Sequence, residues 1–82
     1  MTKKLKIIQF IFRNCQITNH DIIDFVYLLK DNKEIKVLDL SKNKLNTSAL
    51  NLILNAAKYS SLQMLILDDN KITEVKYKRN EN

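Results

Sequence analysis

Bulky apolar residues follow one spacing in the middle of the chain, where the stretch from Ile35 to Leu45 reads IKVLDLSKNKL. The apolar positions are Ile35, Leu38, Leu40 and Leu45, and the polar residue Asn43 stands between the last two. Apolar and polar residues alternate from Leu38 to Ser41, which is typical of a strand with one buried face. The pattern therefore predicts a strand that is followed directly by an asparagine in a buried environment.

The same spacing occurs in two more places. The upstream copy, IIQFIFRNCQI, begins at Ile7, and the downstream copy, LQMLILDDNKI, begins at Leu62. With the middle copy beginning at Ile35, the period is 28 and then 27 residues. Three copies in register at a near-constant period indicate a repeat architecture, in which each unit buries its apolar edge against a neighbour.

The segments between the copies predict helices. Apolar residues at helical spacing are Ile22, Phe25, Val26 and Leu29 in the first segment and Leu50, Ile53, Leu54 and Ala57 in the second. Thr18 or Asn19 suits the N-cap of the first helix, and Asn46 or Thr47 suits that of the second. The predicted order is strand 8–13, helix 21–30, strand 36–41, helix 48–58, strand 63–68 and a tail, which is βαβαβ with right-handed crossovers.

All three copies follow L-x-x-L-x-L-x-x-N/C-x-L and resemble the leucine-rich repeat. The period and the intervening helices resemble the ribonuclease-inhibitor type. The resemblance implies an α/β leucine-rich repeat solenoid with three parallel strands on the concave face and two helices on the convex face. It implies one domain over 1–82, with repeats at 7–34, 35–61 and 62–82. Neither end carries a recognisable terminal cap, and Val75 and Tyr77 offer a partial cover for the last repeat.

The asparagine has a physical reason. Where the chain leaves the strand, backbone groups face the interior and need hydrogen-bond partners. A carboxamide both donates and accepts, so Asn43 is expected to satisfy groups in its own loop and in the next repeat. Stacking would place Cys15, Asn43 and Asn70 in one ladder, with the thiol of Cys15 as a small, weak donor. Cys15 is therefore interpreted as structural rather than nucleophilic, and His20 as a solvated turn residue.

Composition excludes several function classes. One Cys and one His give neither a disulfide nor a metal cluster, and the absence of Gly removes Gly-rich phosphate loops, so we expect no cofactor and no enzyme activity. The net charge of +5 comes largely from lysines near the termini, without a basic face interleaved with aromatics, so we expect no nucleic-acid partner. Neither a signal peptide nor a membrane span is recognisable, and we expect a cytoplasmic protein; delivery into a host cell stays open.

In this repeat type the outward strand positions of the concave face commonly bind protein partners. Here Ile11, Val37, Met64 and Ile66 would form an apolar stripe on that face, which indicates an interaction site. The alternative is that Ile and Val are there for strand propensity alone. The predicted partner-binding residues are Gln9, Ile11, Arg13, Val37, Asp39, Ser41, Met64, Ile66 and Asp68.

The function predicted from these features is a protein–protein interaction module without catalysis, whose partner is another protein of unknown identity. A homo-oligomer formed through the uncapped ends or through the concave apolar stripe is a further expectation. One alternative is a truncated repeat array or a fragment without a function of its own. A third, by analogy with the Ran GTPase-activating protein, is a small-GTPase regulator that uses Arg13 or Asn14.

Overall fold

Strands and helices alternate along the chain in the computed structural model, which describes residues 8–71 and 76–78. Three parallel strands and two helices confirm the predicted α/β order βαβαβ. The elements are β1 (Ile8–Ile11), a 3-10 turn (Asn19–Asp21), α1 (Ile22–Asp31), β2 (Ile35–Asp39), α2 (Thr47–Lys58), β3 (Met64–Ile66) and β4 (Lys76–Lys78).

The first three strands end two residues earlier than the pattern predicts, because the chain turns immediately afterwards. At the turn, Asn14, Lys42 and Asp69 adopt the left-handed conformation, with φ of 55°, 57° and 60°. These three residues occupy the same position in the three copies. A left-handed residue breaks strand geometry, so a repeated backbone turn separates the three strands from Cys15, Asn43 and Asn70, respectively.

The sheet order is β1-β2-β3-β4. Register places Phe10 beside Leu38, and Leu38 beside Leu65, so equivalent positions of the sequence pattern are neighbours in the sheet. The fourth strand was not predicted. It runs antiparallel to β3 and covers the outer edge of that strand, for which the sequence predicted only a partial cover. The predicted cover by Val75 and by the Tyr77 side chain lies outside the described residues.

The core lies between the sheet and the two helices. Inward residues of the second and third copies, among them Leu38 and Leu67, are fully buried and pack with Leu29 of α1 and Ile53 of α2. Burying side chains of this size is the main favourable term for a small domain. In the first copy the equivalent side chains are only partly buried, so the core thins toward β1.

Asn43 is buried, and both the oxygen and the nitrogen of its carboxamide are hydrogen-bonded. Its Oδ1 accepts from the backbone N–H groups of Cys15 and Ile17, each at 2.9 Å. Its Nδ2 donates to the carbonyls of Phe12 and Leu40, each at 2.9 Å. The prediction of a buried, structural Asn43 is confirmed, but its direction was wrong, because the side chain reaches back to the preceding copy rather than forward.

Asn70 repeats this arrangement one copy later. Its Oδ1 accepts from Leu45 N–H at 3.1 Å, and its Nδ2 donates to the carbonyls of Leu40 and Leu67. Cys15 departs from the predicted ladder. Its side chain is exposed, and its Sγ donates only to the Arg13 carbonyl at 3.4 Å. Since each ladder residue serves the copy before it, the first copy presents no earlier backbone groups among the described residues for Cys15 to satisfy.

Caps fix where the helices begin. The Asn46 side chain accepts from Ser48 N–H and Ala49 N–H, which confirms Asn46 as the N-cap of α2. Ahead of α1, Thr18 is the N-cap of the 3-10 turn, and its N–H and hydroxyl both donate to the Asp21 carboxylate. The N-cap of α1 itself is Asp21, without a side-chain cap hydrogen bond, so the prediction of Thr18 or Asn19 for that position was wrong. The backbone N–H of Thr18, and then its hydroxyl, hold the pKa of Asp21 below the ordinary value.

Candidate binding surface

The face of the sheet opposite the helices, called the open face below, carries the residues predicted to bind a partner. Strand register places Gln9, Val37 and Met64 side by side in one row. The next row consists of Ile11, Asp39 and Ile66, also in direct register. Both rows therefore form as the sequence pattern predicts, because all three copies share one register.

A third row continues beyond the ends of the strands. Asn14 N–H donates to the Ser41 carbonyl at 3.0 Å, and Lys42 N–H donates to the Asp68 carbonyl at 2.9 Å. These bonds extend the inter-strand ladder by one step on each side of the second copy. Arg13, Ser41 and Asp68 thus follow the first two rows in the same order.

Exposure within the open face is uneven. The side chain of Ile11 is 57% exposed and that of Met64 is 37% exposed, while Val37 and Ile66 are partly buried between them. Strand propensity accounts for a Cβ-branched residue at position 11, but it does not require that a large apolar side chain be exposed there. The predicted apolar stripe is present on the open face.

Two predicted contact residues are not accessible, and that part of the prediction was wrong. Asp39 is 7% exposed and Ser41 is 4% exposed. The Asp39 carboxylate turns back along its own chain and accepts from Ser41 N–H at 2.9 Å. The alternation of side chains along the strand correctly places both residues on the open face, but it does not predict their burial. They are buried because the central strand has a neighbouring strand on each side, and because the turn after it folds these short polar side chains against the backbone.

The Ser41 hydroxyl is buried without a hydrogen-bond partner among the described residues. A buried hydroxyl without a partner destabilises the folded state, typically by about 1–3 kcal/mol. Because Oγ is enclosed, it does not present a nucleophile on the surface. The accessible part of the predicted set is consequently Gln9, Ile11, Arg13, Val37, Met64, Ile66 and Asp68.

A groove lies on the helix side of the molecule, between α1 and α2. This groove has a volume of about 290 Å³ and is lined by Val26, Lys30, Leu52, Asn55, Ala56 and Tyr59. Helical periodicity placed Val26 toward the core, but it does not reveal how far two neighbouring helices stand apart. The groove is therefore a feature that the sequence interpretation missed.

No group of three or more His, Cys, Asp or Glu within residues 8–71 and 76–78 is placed to hold a metal ion. In the same part of the chain, no helix has the length and apolar character needed to cross a membrane. The side chains on the open face offer apolar contact, hydrogen bonding and charge.

Comparison of the chain with protein-family models, with curated proteins and with solved structures finds no match.

Proposed function

We propose that this chain is a protein-interaction module that binds another protein through the open face and carries out no catalysis. The observation that carries the proposal is the pair of exposed apolar side chains, Ile11 on β1 and Met64 on β3, on a sheet face that neither α1 nor α2 covers. Apolar side chains grouped on one face are typical of interaction sites. Val37 and Ile66 extend the same surface between them.

The leucine-rich repeat assignment belongs to this proposal. Its support is that equivalent pattern positions pair across the parallel strands, and that Asn43 and Asn70 make the same kind of bond to the copy before them. In a solenoid of such repeats the open face is the concave one, and a curved sheet is a rigid platform for a partner. The binding residues lie on strands, which hold them more firmly than loops would.

Charge at the margins of the open face suggests how a partner is oriented. Arg13 and Lys42 are exposed basic residues, while Asp69 is an exposed acidic residue and Asp68 is partly exposed. Such mixed charge fixes the register of a partner more than it adds affinity. The proposed partner is a protein with an apolar contact patch flanked by charges of both signs, met in the cytoplasm.

The test is affinity capture with the full chain and two matched variants. Met64→Lys introduces a charge into the apolar stripe at a position already 37% exposed, so the fold is expected to tolerate it. Leu52→Lys makes the same change at a residue 48% exposed in the helix-side groove. Circular dichroism and urea unfolding establish that all three chains are equally folded.

We expect the wild-type chain and Leu52→Lys to retain the same specific partner. The affinity of Met64→Lys for that partner should be at least tenfold lower, which corresponds to about 1.4 kcal/mol of binding free energy. Capture that survives Met64→Lys but is lost in Leu52→Lys would place binding in the groove and overturn the proposal. Equal retention by all three chains would also reject it.

A further inference from the structure

The two ends of the sheet are finished differently. At one end, β4 pairs with β3 and covers its outer edge. At the other end, β1 pairs only with β2 among the described residues. Within the part of the chain that the structure describes, the sheet therefore has one covered edge and one open edge, whose backbone groups can pair with another strand.

Apolar side chains near β1 are also less completely buried than their equivalents in the second copy. Phe10 and Phe12 occupy the positions that Leu38 and Leu40 hold in the second copy. Both leucines are fully buried, whereas both phenylalanines are only partly buried. On α1, Phe25 is partly buried in the same end layer, where its ring packs edge-to-face on Phe12 with centroids 5.0 Å apart.

The backbone of β1 determines which groups the open edge presents. The N–H groups of Ile8, Phe12 and Asn14 donate toward the β2 side, to the carbonyls of Glu34, Asp39 and Ser41. Because successive residues of a strand direct their N–H and C=O groups to opposite sides, those of Gln9, Ile11 and Arg13 face the open edge. These three residues thus present backbone groups to another strand, although the Arg13 carbonyl also accepts from Cys15 Sγ at 3.4 Å.

The sequence of β1 itself favours pairing. The strand reads IQFI and contains neither a charged residue nor proline, although the exposed Arg13 follows two residues after its end. Edge strands of monomeric proteins usually carry charged residues, proline or a bulge to prevent association. The β1–β2 ladder has a register irregularity between Ile8 and Gln9 and is regular from Gln9 to Ile11. The β4 strand reads KYK, with lysine at both ends, so β1 is the less charged of the two strands.

We propose that two copies of the chain associate through antiparallel pairing of their β1 strands about a twofold axis at Ile11. In this register Ile11 faces Ile11 of the second copy, and Gln9 of each copy faces Arg13 of the other. All three edge-facing residues then exchange hydrogen bonds, as in an ordinary antiparallel ladder. If the two strands were shifted by one residue, the edge-facing N–H and C=O groups of one copy would face residues of the other copy whose own groups are already bonded to β2.

The same register completes the aromatic layer. Phe10 of each copy faces Phe12 of the other on the helix side of the sheet, so two aromatic pairs form across the axis. Aromatic pairs across neighbouring strands are a favourable combination in sheets. Phe10 and Phe12 already pack edge-to-face within one chain, with centroids 5.9 Å apart, so the association would extend an existing cluster.

A second copy fits this edge better than an unrelated strand because the edge is complementary to itself. The twofold axis pairs the apolar positions with each other, and it sets the amide of Gln9 beside the guanidinium of Arg13 without bringing the two arginines together. Such an isologous contact is the usual basis of a symmetric dimer. It leaves Met64 and Ile66 free, and it joins the open faces of the two copies into one wider surface.

Cysteine cross-linking tests the register, and sedimentation velocity over a concentration series tests the association. Cys15 is exposed, so all cross-linking chains carry Cys15→Ser. With Ile11→Cys, the two Cα atoms would be about 5.5 Å apart, within the range of a disulfide. With Gln9→Cys or Arg13→Cys alone, the equivalent atoms would be separated by four residues along the strand, about 13 Å.

We expect the wild-type chain to form a dimer as its concentration rises, and Ile11→Cys to cross-link under mild oxidation. Neither Gln9→Cys nor Arg13→Cys should cross-link alone, but an equimolar mixture of the two should. A chain that stays monomeric at every concentration, or a Gln9→Cys chain that cross-links to itself as fast as Ile11→Cys, would overturn the proposal. Circular dichroism verifies that each variant is folded, and partner capture through Met64 is measured separately, so failure of one proposal leaves the other intact.

Discussion

At the scale of the residue, Asn43 is the side chain on which the fold depends most. It makes hydrogen bonds to Cys15, Ile17 and Phe12 of the preceding copy and to Leu40 in its own turn. The sequence predicted its burial because polar groups at the end of a strand need partners. It could not give the direction of the bonds, which depends on how neighbouring copies are offset in the stack.

Replacing Asn43 with alanine leaves several buried backbone groups without partners. We expect the free energy of unfolding to fall by about 3 kcal/mol, measured by urea denaturation, because each buried unsatisfied group costs about 1–3 kcal/mol. Asn70→Ala should cost less, since Asn70 is only partly buried. Asn51→Ala is the control at an exposed position of α2 and should be close to neutral. Equal effects of Asn43→Ala and Asn51→Ala would contradict this account of the ladder.

At the scale of the element, helix starts were predicted better than strand ends. Asn46 caps α2 as expected, because its side-chain oxygen accepts from N–H groups of the first helical turn that have no partner within the helix. The strands are shorter than their apolar pattern, since Leu40 and Leu67 continue the alternation after the strand has ended. An apolar pattern reports which side chains are buried, whereas the left-handed turn at Lys42 is a backbone property that periodicity does not encode.

Asp21 gives the start of α1 a dependence on pH. Hydrogen bonds from Thr18 lower its pKa in the folded state below the ordinary value of 3.8. The carboxylate therefore stabilises the fold above that pH, and its contribution is lost as the pH falls through the lowered pKa. We expect the wild-type chain to be more stable than Asp21→Asn at neutral pH, and the difference to vanish in acid, measured by urea midpoints over a pH series. A difference that persists unchanged into acid would contradict this assignment.

At the scale of the whole molecule, the described part of the sheet has a covered edge at β3 and an open one at β1. The fourth strand escaped prediction because Lys76–Lys78 is short and has no run of apolar residues. The burial of Asp39 and Ser41 was not predicted, because a repeat pattern shows which face of the sheet a side chain lies on but not which groups surround it. The parallel register was predictable, because strands with the same residue pattern bury their apolar side chains together only when equivalent positions are neighbours.

Removing residues 72–82 tests the role of β4. The shortened chain would expose the outer edge of β3, so we expect assemblies larger than a dimer by light scattering. Removal of 79–82 alone keeps β4 and is the matched control, which should behave as the full chain does. If both shortened chains have the same size distribution as the full chain, β4 does not protect the edge of the sheet.

The central claim is that the open face contacts a partner protein, and site-specific photo-cross-linking tests it most directly. A photoreactive phenylalanine derivative is placed at Met64 on the open face or at Asn51 on the exposed side of α2, in lysate of the cells that make the protein. The account predicts one discrete adduct with another protein at Met64 and none at Asn51. Adducts at Asn51 alone, or at neither position, would contradict it.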